Sequence, residues 1–356
     1  MPFVLPAVEI IVGILLLFGG GELFVAGSTA VALLFGIPQI VIGLTVVSLG
    51  TSAPELFVSL LSTFQGDDGI AVSNIVGSNI FNVMVVLGLS AVVVPLRVKS
   101  RLVRRDVPLL LAVSIAVWGM ASTGRVTWQA GLALLVALVI NIVWEARTAG
   151  ENPDEPEEID DSDRSSGSVA AIKLAAGLAL LVFGSRVLVK GATAAALALG
   201  VSPVVVGLTV VSAGTSMPEL VTSLVAAYRG KADLAIGNVV GSNLLNQLVI
   251  LGLCGVAAGG EGLAVDPVMV SRDLPIMVAT TLACLPIFWS GGVISRLEGW
   301  ILVGLYGLYL IEQVLSSTEA GLMDEFRLIT LVAVLPLVLV VLVWQTVAWG
   351  RQRRPA

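Results

Sequence analysis

Apolar residues run through this chain in blocks of about 20, separated by short charged or Gly/Pro-containing breaks. A helix rising 1.5 Å per residue needs about that length to cross roughly 30 Å of hydrocarbon. The blocks lie near 4–27, 38–64, 70–95, 107–122 and 127–146, then 169–199, 202–228, 234–258, 274–290, 297–316 and 327–349. None shows the strict apolar/polar alternation of a membrane barrel strand. The pattern predicts an all-α polytopic membrane protein with five spans, five more, and an eleventh near the C-terminus. Between the two sets, residues 147–168 are acidic and Pro-containing, bury too little apolar area to fold, and are expected to form a solvated linker. The expected organisation is a first half at 1–146, the linker at 147–168, a second half at 169–316, and an extra helix with a basic tail at 317–356.

Composition agrees with a bilayer. With 57% hydrophobic and 12% charged residues, the chain has too little polar surface to cover a soluble fold of its size. The formal charge of −6 is mostly local, concentrated between Glu151 and Asp163, and no basic face suited to nucleic acid is present. Cys254 and Cys284 sit inside apolar runs, where cysteine behaves as a small buried hydrophobe rather than a disulfide partner. The chain has no histidine, which removes the commonest transition-metal ligand and proton shuttle and leaves oxygen chemistry suited to hard cations. The first span lacks a basic leader and a small-residue cleavage site, so a retained helix is expected rather than a signal peptide.

The decisive pattern is internal repetition. Val41-Ile42-Gly43-Leu44-Thr45-Val46-Val47-Ser48-Leu49-Gly50-Thr51-Ser52-Ala53-Pro54-Glu55-Leu56 returns as Val205-Val206-Gly207-Leu208-Thr209-Val210-Val211-Ser212-Ala213-Gly214-Thr215-Ser216-Met217-Pro218-Glu219-Leu220. At the same offset, Asn74-Ile75-Val76-Gly77-Ser78-Asn79-Ile80-Phe81-Asn82 returns as Asn238-Val239-Val240-Gly241-Ser242-Asn243-Leu244-Leu245-Asn246. Five spans is an odd number, so the second copy enters the membrane from the opposite side, and two inverted-topology repeats related by an in-plane pseudo-two-fold axis are expected. Basic residues weight one side: Arg97, Lys99, Arg101, Arg104 and Arg105, then Arg229, Lys231, Arg296, Arg351, Arg353 and Arg354. By the positive-inside rule the N-terminus is outside, and the linker and C-terminus are cytoplasmic.

The repeated motifs carry charge where the bilayer tolerates it least. Glu55 and Glu219 fall near the middle of their spans, at a cost of roughly 2.5–3.5 kcal/mol each even on permissive insertion scales, with no Lys or Arg in either motif. A bound cation, a proton or a distant span must therefore stabilise them. Pro54 and Pro218 cannot donate to the carbonyls of Gly50 and Gly214, so each helix is expected to break and expose the carbonyls of Gly50 and Thr51, and of Gly214 and Thr215. Those carbonyls, the two carboxylates and the hydroxyls of Thr51, Ser52, Thr215 and Ser216 form an all-oxygen set able to supply the 6–8 ligands that Ca²⁺ takes. Asn74, Ser78 and Asn82 share one helical face, as do Asn238, Ser242 and Asn246. Ser78, Asn82, Ser242 and Asn246 are expected at the ion, whereas Asn74 and Asn238 are expected to pack between helices. Glu22 and Arg186, at equivalent positions of the first helix of each half, are expected as interfacial ends or a structural salt link.

Paired Gly-Thr-Ser-x-Pro-Glu-Leu and Gly-Ser-Asn motifs in two five-span halves resemble the alpha repeats of the calcium/cation antiporter superfamily, specifically its prokaryotic sodium/calcium exchanger branch. The resemblance covers about Val4 to Glu312. It implies a ten-helix core in which the long first helices of the two halves slide against a rigid eight-helix block. It implies that Glu55 and Glu219 ligate Ca²⁺ together with the carbonyls of Thr51 and Thr215. It further implies flanking Na⁺ sites made by Ser52, Ser78, Ser216 and Ser242 with the Ser48 and Ser212 carbonyls. The proton/calcium branch commonly carries Gly-Asn before its glutamate, where this chain has Gly50-Thr51-Ser52 and Gly214-Thr215-Ser216, which favours Na⁺. Family members often carry an aspartate where this chain has Asn246, so two carboxylates stand in place of three. The eleventh span is expected as a peripheral or dimer-facing helix, which leaves room for a homodimer.

These readings converge on secondary active Ca²⁺/Na⁺ antiport in the cell membrane, running toward Ca²⁺ extrusion. Membrane lipids and the transported cations are the expected partners, and no cofactor or catalytic residue is expected. A proton/calcium antiporter using the same glutamates and a passive cation channel are the competing readings. A membrane enzyme is disfavoured because no His, Cys or Asp constellation accompanies the glutamates.

Overall fold

A computed structural model describes residues 3–99, 102–148, 165–201, 203–206, 209–210, 212–289, 292–317, 323–338 and 340–341. The described chain is almost entirely helical. Its principal helices are α1 (Val4–Phe35), α2 (Gln39–Thr51), α3 (Ala53–Gln65), α4 (Asp68–Val93), α5 (Val107–Ala121) and α6 (Trp128–Thr148) in the first half. In the second half they are α7 (Gly167–Ala198), α8 (Met217–Tyr228), α9 (Ala232–Ala257), α10 (Met269–Trp289) and α11 (Arg296–Ser317), followed by α12 (Met323–Ile329). Seven of the described helices are long and apolar enough to cross a membrane, or eight if the bent pair α2–α3 counts as one span. The expected span at 107–122 is the 15-residue α5, preceded by a π-helical turn at Leu102–Asp106. The expected eleventh span is described only as far as residue 341, and most of the linker lies outside the described residues.

The first span runs farther than its apolar block. Ser28 and Thr29 turn their hydroxyls back to the carbonyls of Phe24 (2.7 Å) and Val25 (2.9 Å), so neither presents an unpaired donor to the helix surface. The helix then continues to Gly36, which closes it in the left-handed region at φ 63°.

The long helices α1 and α7 pack antiparallel along a glycine seam. Added side chains at Gly13, Gly20 and Gly27 would meet the backbone of Leu188, Leu181 and Leu174 at 2.6–2.8 Å. Added side chains at Gly177, Gly184 and Gly191 would meet that of Phe24, Leu17 and Ile10 at 2.5–2.9 Å. Each seven-residue step along α1 is matched by an equal step backwards along α7, so small residues alone let the two backbones touch. Glu9 and Lys190 add an ion pair at 2.6 Å.

α4 and α9 form the centre, 83% and 78% buried along their most apolar stretches, while α6 and α11, at 11%, line the periphery. Two short antiparallel ribbons tie loops of one half to loops of the other. β1 (Leu96–Arg97) pairs with β4 (Val293–Ile294), and β2 (Arg125–Val126) pairs with β3 (Leu263–Ala264). Cys254 and Cys284 are buried free thiols.

Candidate cation site

Both glutamates stand at a break in a helix. Between α2 and α3 the chain bends by 48° at Ser52, whose backbone (φ −81°, ψ 6°) leaves the helical region, and Pro54 sits in the first turn of α3. Ser216 (φ −89°, ψ 9°) and Pro218 do the same ahead of α8. Proline at the start of a helix costs no hydrogen bond, because the first amides have no intrahelical acceptor. Glu55 and Glu219 thus occupy the first turns of α3 and α8, fully buried, where a helix N-terminus favours negative charge.

Each carboxylate is held by the other repeat. Ser216 Oγ donates to Glu55 Oε1 at 2.9 Å, and Ser52 Oγ donates to Glu219 Oε1 at 3.0 Å. Thr51 Oγ1 donates to Asn238 Oδ1 at 3.1 Å and Thr215 Oγ1 to Asn74 Oδ1 at 3.3 Å. Asn74 Nδ2 donates to the Glu55 carbonyl and to Ser59 Oγ, while Asn238 Nδ2 donates to the Glu219 carbonyl and to Ser223 Oγ. These asparagines brace the backbone of the glutamates, in keeping with their expected packing role.

The remaining polar atoms of the motifs point into the interior without partners. Glu55 Oε2, Glu219 Oε2, Ser78 Oγ, Ser242 Oγ, Asn82 Oδ1 and both side-chain polar atoms of Asn246 are buried and unsatisfied. A buried polar atom left unpaired costs about 1–3 kcal/mol, so a set of this size is sustained only where a ligand completes it. Asn82 and Asn246 each open a π-helical turn, at Asn82–Leu87 and Asn246–Ile250, a distortion frequent at functional sites. Among the described residues no third Asp, Glu, Cys or His joins the two glutamates in one cluster.

Other expected groups are already engaged. Ser48 Oγ donates to the Gly43 carbonyl and to that of Asn238, and the Ser48 carbonyl accepts from Ser52 N at 2.9 Å. Ser212 opens a short helix, Ser212–Gly214, and its side chain lies outside the described residues. The Gly214 carbonyl, freed by Pro218, accepts the hydroxyl of Ser185 on α7.

Sequence reasoning passed over a second set of amides behind the site. Asn82 Nδ2 donates to Asn243 Oδ1, Asn243 Nδ2 to the Asn79 carbonyl, and Gln247 Nε2 to Asn79 Oδ1 and Ser114 Oγ. Asn79 and Asn243 were within reach, since both belong to the repeated motif. Gln247 has Val83 as its counterpart, so repetition gave no sign of it. A cavity of about 370 Å³ extends from Asn74 and Thr215 to a half-buried cluster in which Arg272, Tyr309 and Gln313 all donate to buried Asp273.

Comparison with known proteins decides the family. The sodium/calcium exchanger protein family matches residues 5–146 and 169–315. The chain belongs to that family. It is 33% identical over 319 residues to inner membrane protein YrbG of Escherichia coli, covering 86% of this chain and 97% of that one. It is 30% identical over 340 residues to sodium/calcium exchanger MaX1 of Methanosarcina acetivorans, covering 85% and 96%. A solved structure of the sodium-calcium exchanger NCX_Mj, soaked with Na⁺ and Sr²⁺, superimposes with a TM-score of 0.74 at 30% identity, covering 87% and 98%. The exchanger is accordingly a membrane transporter of the calcium/cation antiporter superfamily and not an enzyme.

Proposed function

We propose that this exchanger moves Ca²⁺ against Na⁺ by alternating access, with Glu55 and Glu219 as the shared charged ligands. The observation carrying this reading is the set of unsatisfied buried atoms, contributed by the same three positions of each repeat and centred on two carboxylates with one free oxygen each. Serine hydroxyls occupy the other oxygens and fix the carboxylates without consuming their charge.

A site of charge −2 is costly to carry empty through a low-dielectric barrier. One Ca²⁺ neutralises it, and so do two or more monovalent ions. The two ions therefore compete for one place and cross as alternate passengers. Thr51, Thr215, Ser52, Ser216, Ser78, Ser242, Asn82 and Asn246 supply oxygen ligands around that place, with the Ser48 and Ser212 carbonyls at its flanks. Inverted five-helix repeats fit the reciprocal hydrogen bonds, the antiparallel glycine seam and the two interlocking ribbons, each of which exchanges a residue of one half for its counterpart in the other. With the N-terminus outside and an inward Na⁺ gradient, transport runs toward Ca²⁺ extrusion.

Uptake of radioactive Ca²⁺ by purified protein in Na⁺-loaded liposomes tests the reading, with Na⁺ and pH gradients imposed separately. Uptake driven by Na⁺ alone and abolished by Glu55→Gln or Glu219→Gln is expected. Uptake driven only by protons reassigns the counter-ion, and wild-type flux in either variant sinks the site.

A further inference from the structure

Glu22 and Arg186 are counterparts in the two repeats, yet they do not meet. Glu22 pairs with Arg229, in the turn after α8, and Lys231 of the same turn donates to Thr29 Oγ1 at 3.0 Å. Together with Ser185 on the Gly214 carbonyl, these side-chain contacts tie α1 and α7 to the rest of the described protein. Elsewhere the two helices meet the block through apolar contacts, such as Phe24 over Gly50 and Val189 over Gly214. The glycine seam locks α1 to α7, so any displacement moves them as one body.

The opposite end holds matching positions, with charge reversed at two of them and lost at a third. The counterparts of Glu22 and Thr29 are Arg186 and Thr193 on α7. Those of Arg229 and Lys231 are Gln65 and Asp67, in the turn after α3. Both turns are shaped alike, by Gly230 at φ 75° and Gly66 at φ 80°. An acidic helix residue faces a basic turn at one end, and a basic helix residue corresponds to an acidic turn at the other, so attraction is preserved through the reversal. At that second end nothing is engaged. Arg186 and Asp67 are exposed with no side-chain partner among the described residues, and Thr193 Oγ1 is buried without one.

We propose that these are two alternating latches for the α1–α7 pair. Glu22–Arg229 with Thr29–Lys231 holds the pair in the state seen here. Arg186–Asp67, with Thr193, holds it in the opposite state. A slide that withdraws Glu22 from Arg229 carries Arg186 toward the turn after α3, because the pseudo-two-fold relation exchanges the two ends; there neutral Gln65 takes the place of Arg229, and the turn's charge is Asp67, two residues on. The proposal rests on the alternating-access reading but not on which ions are exchanged. Charge serves here to set the balance between two states rather than to add stability, since a half-exposed ion pair contributes little by itself.

Cross-linking tests this without requiring transport. In a background lacking Cys254 and Cys284, the pairs Glu22→Cys with Arg229→Cys and Arg186→Cys with Asp67→Cys are treated in liposomes with a short bifunctional thiol reagent. Each pair is expected to cross-link on its own, and a closed first link is expected to suppress the second in the four-cysteine protein. Adding Glu22→Gln to the Arg186/Asp67 cysteine pair should raise its cross-linking about two- to fivefold, the scale of one lost half-exposed pair. Reversing the charges, Glu22→Arg with Arg229→Glu, should return it to the starting level. Both links forming in one molecule, or an Arg186/Asp67 pair that never links, overturns the proposal. If the wild type shows no Ca²⁺/Na⁺ exchange while the links still exclude one another, the ion assignment falls and the latches stand.

Discussion

The glycine seam between α1 and α7 makes a prediction that two adjacent residues can decide. Gly19 and Gly20 are neighbours on α1, and nothing lies within 4 Å of a side chain built at Gly19. One built at Gly20 would come within 2.8 Å of Leu181 N, 2.9 Å of Leu180 Cβ and 3.0 Å of the Gly177 carbonyl. Gly19→Ala therefore gains helix propensity, about 0.5–1 kcal/mol, with no steric cost. Gly20→Ala gains the same propensity but pushes a methyl group into the backbone of α7, where overpacking costs about 1–3 kcal/mol. Two of the contacting atoms are backbone and cannot rotate away, so the upper part of that range applies. The propensity gains cancel, so the net separation between the variants is about 2–3 kcal/mol, in favour of Gly19→Ala. Thermal unfolding of detergent-purified protein, followed by loss of the monodisperse peak on size exclusion, measures it. Gly184→Ala, the counterpart on α7, should behave like Gly20→Ala. Equal melting temperatures for Gly19→Ala and Gly20→Ala would refute the seam, because the two residues differ only in which way they face.

Further outcomes follow from the site. Ser52→Ala and Ser216→Ala each remove a hydrogen bond to a buried carboxylate, worth about 1.5–3 kcal/mol, and should raise the Ca²⁺ concentration for half-maximal uptake by about tenfold or more; an unchanged value in both would mean the serines do not position the glutamates. Asn74→Ala and Asn238→Ala strip two donated bonds from the backbone and neighbouring serine of each glutamate and should lower thermal stability by about 1–3 kcal/mol, with equal effects expected because the two networks match bond for bond. Asn246→Asp places a third carboxylate among groups that are nearly inaccessible and should steepen the Na⁺ dependence of Ca²⁺ efflux, as a further monovalent ion is needed for neutrality. An unchanged slope would place Asn246 outside the ion path.

What the sequence made legible and what it hid divide along a physical line. Hydropathy placed seven of the expected spans, eight with the bent pair α2–α3, and repetition marked both glutamates, because each signal resides in residue identity. The reach of α1 to Phe35 was hidden, since Ser28 and Thr29 read as a polar boundary until their hydroxyls are seen folded back onto the helix. The seven-residue glycine spacing is present in both first helices at the repeat offset, but an apolarity reading treats glycine as neutral and passes over it. Residues without a like counterpart were the least visible: Gln247 answers to Val83 and Ser185 to Gly21, so the strongest signal in the chain was blind to both. Glu22 and Arg186 were expected as interfacial ends or a structural salt link; Glu22 does form such a link, but its partner Arg229 lies in the turn after α8, which no pattern in the sequence placed beside it. A duplicated sequence advertises what its two halves share. An exchanger, in any one state, must hold its two ends differently, and the proposed latches put that difference in which of two contacts is closed, a property of partners that no single residue records.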